Sequence, residues 1–324
     1  MGEPIEGAGL NIELQCALER SMFNPQPPPP ALALLRSSRR IGLVLSGGSM
    51  RCAFQVGVLE TLMELGVRPA LCVAVSGGVW NGAALAVGTA HRLRYYWRTF
   101  ARMRPLDTRN LLREHSLYRY PEIHRRTFNR YVGAARLRRP EALPLLIGVT
   151  RLRDRQAVYL AAATVEDPLT VLLASNYLPP FYTHAPLIAG ERCGDGGLAD
   201  NLPYERAFAE GCDAVILVTI KGESEGGPYR NPQDPDHVIP FRFRDRTVVI
   251  RPRYRLPASF VERRWPVLRQ IMDLGRLRAR EVLLGESHPE TEARSEVNAL
   301  VSMINRLLFT RVLTAGRRTG TPAP

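Results

Sequence analysis

With 324 residues the chain is long enough to bury a large core in one or two domains, and its 45% apolar and 23% charged residues are the proportions of an ordinary soluble globular protein. Cys16, Cys52, Cys72, Cys193 and Cys212 are scattered with no C-x-x-C pair, which excludes a disulfide framework and a cysteine-rich metal centre and reads as reduced thiols. The net charge of +13, carried by arginine with Lys221 as the single lysine, fits plain solubility, attraction to anionic lipid or attraction to nucleic acid, but no recognised nucleic-acid motif accompanies it.

The N-terminal stretch lacks a basic segment followed by an apolar run, so no secretory leader is expected. A cytoplasmic location is expected, with peripheral contact at an anionic membrane surface as an option. Residues 10–22 have helical spacing of apolar positions. Residues 24–30 (NPQPPPP) read as an extended proline spacer, with a partner-docking motif as the alternative. Residues 41–45 (IGLVL) are wholly apolar, the mark of a strand buried on both faces. A turn at 46–49 leads into helical periodicity over 52–65. Residues 71–75 (LCVAV) repeat the buried-strand pattern, followed by a turn at 76–78 and an apolar helix over 79–90.

The window 70–88 is long enough to span a bilayer, but Ser76, Gly77, Gly78 and Asn81 interrupt it, and a buried strand–turn–helix fits better. Residues 91–140 break the rhythm as an insert rich in arginine and aromatics, read as short helices. Strands are expected over 145–150, 157–162, 215–220 and 247–251, with a helix over 204–210. Beyond residue 259 the chain reads as helical to about 315, with a frayed tail. The alternation predicts a three-layer α/β/α fold with a mainly parallel central sheet, a helical insert and a helical C-terminus. The expected organisation is 1–40 as N-terminal helix and proline-rich linker, 41–285 as the core domain with 91–140 as insert or cap, and 286–324 as C-terminal helix and tail.

Three segments carry candidate chemistry. Residues 45–51 (LSGGSMR) place a glycine turn between a buried strand and a helix. Such a turn presents backbone amides to a phosphate or an oxyanion, or simply reverses the chain. In residues 73–78 (VAVSGG) a serine stands at a strand-to-helix turn among small residues. That is the geometry of a nucleophile elbow, and equally that of a serine capping a helix. Residues 195–203 (DGGLADNLP) fix Asp195 in a glycine turn, either as a positioned base or as an Asp-Gly turn without chemistry. A free aspartate is a poor base for a hydroxyl, so burial would have to raise its pKa.

In this order the three segments resemble the patatin-like phospholipase family. Its pattern is a Gly-Gly-Gly-x-Arg-Gly oxyanion loop, a Gly-x-Ser-x-Gly elbow and an Asp-Gly-Gly or Asp-Gly-Ala turn. The likeness continues in Gln55 and Gly57, in Asn81, in residues 174–181 (ASNYLPPF) and in residues 200–203 (DNLP). It covers roughly 41–220 closely and 221–285 loosely, where Asp273 and Gly275 match a closing helix. The resemblance implies a Ser-Asp dyad without histidine, metal or cofactor. Ser76 would be the nucleophile, Asp195 the base, and the amides of Gly47, Gly48 and Ser49 the oxyanion hole. Arg51 would orient that loop or meet a lipid phosphate. The implied activity is hydrolysis of a lipid acyl ester, of phospholipase A or lysophospholipase type, through an acyl-enzyme. Three positions depart from the pattern: Ser49 and Cys52 replace loop glycines, and Ala74 replaces the first elbow glycine. Ser49 matters if its position requires a positive φ.

Two other readings use the same residues: acyl transfer by the same dyad, and a membrane-binding scaffold with weak catalysis. A conventional triad in the order Ser, Asp, His would need His237 or His288, neither of which sits in a glycine-flanked strand-end context. The insert would either lie at lipid headgroups as a cap or form solvated helices with buried aromatic faces.

Overall fold

A computed structural model of the chain describes residues 30–103, 109–110, 112, 115–116, 119–179, 182–183, 185–222 and 239–286. The expected helix over 10–22, the proline spacer short of Pro30 and the expected helix and tail beyond 286 lie outside the described residues.

The strands are β1 (Ile41–Leu45), β2 (Leu71–Val75), β3 (Leu145–Arg151), β4 (Gln156–Ala161), β5 (Leu187–Ile188), β6 (Glu191–Asp195), β7 (Ala214–Val218) and β8 (Thr247–Ile250). The helices are α1 (Pro30–Ser37), α2 (Ala53–Glu64), α3 (Gly78–Ala86), α4 (Leu93–Arg102), α5 (Tyr120–Tyr131), α6 (Ala134–Leu137), α7 (Pro168–Ala174), α8 (Tyr204–Ala209), α9 (Phe241–Arg244) and α10 (Trp265–Leu284).

One sheet runs in the order β5-β6-β3-β2-β1-β7-β8, with β4 also paired to β3. Neighbours from β3 through β8 along that path are parallel. β4, β5 and β6 pair antiparallel. β1, β2 and β7 are buried at every position, which is why they lack polar alternation. Their alternate residues feed two cores. Leu43, Leu45, Cys72, Ala74 and Ile216 join a large core with α2, α3, α4 and α10, while Val44, Val73, Val215 and Leu217 join a smaller one with α8. The molecule is a three-layer α/β/α fold around a mainly parallel sheet.

Several elements differ from the sequence reading. Order begins before Ile41: α1 starts at Pro30, where a missing amide hydrogen costs a helix nothing, and buries Leu32 and Leu35. Helix α7 and strands β5 and β6 are additions to the expected elements, and none carries a strong periodicity. Helix α10 stops at Leu284 rather than running on, because Gly285 takes a left-handed conformation (φ 70°) as its cap. The described part of the insert turns most of its aromatic residues inward. Tyr96, Trp97 and Phe100 of α4 and Phe128 and Tyr131 of α5 are buried in the large core. Asp273 of α10 accepts from Arg94 Nη1 at 2.8 Å, and Arg94 also holds Glu60, so α2, α4 and α10 are clamped together. Helices α2 and α10 meet backbone to backbone: a Cβ on Gly57 would lie 1.8 Å from the Met272 carbonyl oxygen.

Candidate active site

Strands β2 and β6 share one edge of β3. Val75, the last residue of β2, pairs with Gly148, and Asp195, the last residue of β6, pairs with the next residue, Val149. β2 runs parallel to β3 and β6 antiparallel, so the two strands point at each other and their ends abut. Ser76, the residue after β2, therefore meets Asp195 across 119 positions of sequence: Ser76 Oγ donates to Asp195 Oδ2 at 2.6 Å. Both are almost fully buried, at 2% and 1% exposure.

Ser76 has φ 51°, a left-handed conformation that turns the chain sharply from β2 into α3 and projects the side chain off the backbone. The turn is tight enough that a Cβ on Gly78 would lie 2.7 Å from the carbonyl oxygens of Leu45 and Ser46. The Ser76 amide donates to Ser175 Oγ at 2.8 Å, and that hydroxyl donates in turn to the Gly148 carbonyl at 2.6 Å. The helix-capping alternative for Ser76 does not hold, since α3 begins at Gly78 without a side-chain cap.

Asp195 is held on three sides. Its amide donates to the Tyr177 carbonyl at 3.0 Å, its carbonyl accepts from Thr150 Oγ1 at 2.7 Å, and its Oδ1 accepts from the Gly197 amide at 2.8 Å. Burial pushes the carboxyl up to about 7, against the opposing pull of the hydrogen bonds from Ser76 and Gly197.

The glycine turn lies beside this pair. A Cβ on Gly47 would fall 2.6 Å from Ser76 Cβ. The Gly47 amide, expected among the oxyanion donors, donates instead to Asn201 Oδ1 at 2.9 Å. The amides of Gly48 and Ser49 donate to no acceptor among the described residues. Ser49 has φ 54°, so the position that departs from glycine does occupy the left-handed region. Cys52 has φ −62° and Ala74 lies within β2, so neither requires glycine. A Cβ on Gly82 would lie 3.2 Å from Ala74 Cβ, which shows where the extra methyl is accommodated. Arg51 follows the turn partly exposed, its amide donating to the Gly48 carbonyl at 3.2 Å.

A buried network anchors the turn to α3. Gln55 Nε2 donates to the Ser46 carbonyl at 2.7 Å, Asn81 Nδ2 donates to Gln55 Oε1 and to the Cys52 carbonyl at 2.9 Å each, and Trp97 Nε1 donates to Asn81 Oδ1 at 2.9 Å. Gln55, Asn81, Ser175 and Asn201 lie in the resembling segments, which assign them no role, and Thr150 carries no signal in the sequence. Among the described residues no histidine hydrogen-bonds to Ser76 or Asp195, and no cluster of His, Cys, Asp and Glu could hold a metal. His237 and His288 lie outside the described residues.

A family model described as "Patatin-like phospholipase" matches residues 43–208, just over half of the chain and inclusive of all three segments. No curated protein matches. Among solved structures, the crystal structure of VipD from Legionella pneumophila matches with 14% identity and a TM-score of 0.47, over 77% of this chain and 68% of that one.

Proposed function

This chain belongs to the patatin-like phospholipase family of serine-type lipid hydrolases, and on that premise we propose that it cleaves carboxylic esters through a Ser76–Asp195 dyad and an acyl-enzyme. The observation that carries the reading is the 2.6 Å hydrogen bond between two buried side chains beside a turn with undonated amides. Ser76 Oγ attacks the ester carbonyl carbon while its proton moves to Asp195. The amides of Gly48 and Ser49 receive the oxyanion, each such donor being worth about 3–4 kcal/mol of barrier. The bond to the leaving alcohol breaks, and Asp195 returns the proton to that oxygen. Water then attacks the acyl-enzyme, losing its proton to Asp195, and the carboxylic acid leaves as Ser76 is reprotonated.

With its pKa pushed up to about 7 by burial, the carboxylate is a far better base than a free aspartate, and the N-terminus of α3 behind Ser76 favours the developing alkoxide. Lipid is approached from outside. Among the described residues no helix is long and apolar enough to cross a membrane. Exposed Arg98, Arg102, Arg125, Arg126 and Arg130 on α4 and α5 supply positive charge for anionic headgroups. A fluorophosphonate probe should label Ser76 in the wild type and fail on Ser76→Ala. Undiminished ester hydrolysis by Ser76→Ala or Asp195→Asn would overturn the proposal.

A further inference from the structure

A cavity of about 20 Å³ opens against Gly77, the residue after the nucleophile, and Ser49, the second oxyanion donor. The cavity therefore adjoins both the proposed nucleophile and the proposed oxyanion donors. Most of the remaining wall is aromatic: Trp80 from α3, Trp97 and Phe100 from α4, and His124 from α5. These rings are braced against one another. His124 stacks on Trp80 with ring centres 3.8 Å apart and packs against Phe100 at 5.0 Å. Trp97 is fixed by its hydrogen bond to Asn81, which also holds the end of the oxyanion turn through the Cys52 carbonyl. All four rings are at most 5% exposed.

A cavity needs roughly 10–15 Å³ to hold one water molecule, so this one takes about one or two waters, or the alkyl end of a short acyl group. We propose that the acyl group of the ester enters this cavity, that the aromatic side chains of the insert fill the space a long acyl chain would occupy, and that the enzyme takes esters of short carboxylic acids, about two to four carbons. The inference rests on the hydrolase reading above and narrows the acyl half of the substrate. The alcohol half, lipid or otherwise, is left unconstrained by this cavity.

The test is kcat/KM of the full chain on p-nitrophenyl acetate, butyrate, octanoate and palmitate, with Ser76→Ala as control and fluorophosphonate labelling in parallel. Acetate and butyrate should exceed octanoate by at least about tenfold, since even one misfit methylene is worth roughly that much. Phe100→Ala should open the wall and narrow or reverse the ratio. If that variant does not fold, the wild-type series alone decides. Ser76-dependent preference for octanoate or palmitate would overturn the short-chain inference and leave the hydrolase standing. A folded Phe100→Ala with an unchanged profile would overturn the assignment to this cavity. No turnover of any ester, with Ser76 unlabelled, would overturn both readings.

Discussion

Asn201 Oδ1 accepts the amide hydrogen of Gly47 at 2.9 Å, and a Cβ on Gly197 would lie 2.6 Å from the same oxygen. One side chain thus links the 47–49 glycine turn to the turn that fixes Asp195. Removing it in Asn201→Ala leaves a buried N–H without its partner, a loss of about 1–3 kcal/mol. Denaturant unfolding should show that loss. The Gly48 and Ser49 amides would also lose their register with Ser76, and a small misplacement can cost up to about 100-fold in rate. Steady-state kinetics should show the fall in kcat with little change in KM.

In the proposed mechanism the Asp195 carboxyl sets the pH dependence. Only its ionised form accepts the Ser76 proton, so kcat/KM should climb with pH and level off above about 7. Stability runs the other way. The folded pKa lies above the unfolded value, so the carboxyl contributes fully below about 3.8 and the contribution is lost as pH rises through about 7. Asp195→Asn should therefore gain stability over the wild type across that window and hold the gain at higher pH. Chemical denaturation at several pH values measures it, and a constant difference would contradict the burial that raises the carboxyl.

The three departures from the family pattern separate by backbone conformation. Ser49 is left-handed at φ 54°, a state that costs an L-residue about 1–2 kcal/mol. Ser49→Gly should relieve part of this and raise the thermal midpoint. Cys52 leads into α2 at φ −62° and Ala74 sits in β2. There glycine adds chain entropy and also deletes a fully buried side chain, so Cys52→Gly and Ala74→Gly should each lose at least about 1 kcal/mol. Thermal unfolding of the three variants checks both signs together.

Much of the fold was legible because the central strands are wholly apolar. IGLVL, LCVAV and AVILV are buried on both faces and announce themselves as β1, β2 and β7. Ser76 and Asp195 were legible as residues, and their meeting was legible through the family resemblance but not through any local pattern. β6 reads ERCGD, a charged and glycine-containing stretch of which only the last three positions are buried. Its local pattern is that of a turn. Its placement head-to-head with β2 along β3 is a long-range pairing that no periodicity encodes. The same holds for Asn201, whose link to Gly47 spans 154 positions. The stop of α10 did have a local signal in Gly285, which the longer helical pattern obscured.

Ser175 is the remaining support of the elbow, and its effect should exceed that of an ordinary buried serine. Its hydroxyl accepts from the Ser76 amide at 2.8 Å and donates to the Gly148 carbonyl at 2.6 Å, so it ties the nucleophile to the point on β3 where β2 and β6 abut. Ser175→Ala strips a partner from two buried backbone groups at once, about 2–6 kcal/mol together. The left-handed turn at Ser76 would lose a bond that holds it in a costly conformation. The fluorophosphonate labelling rate of Ser76 should drop along with kcat in a sample that remains folded by circular dichroism. Wild-type labelling in a destabilised Ser175→Ala would show that the hydroxyl serves the fold alone and that the elbow keeps its shape without it.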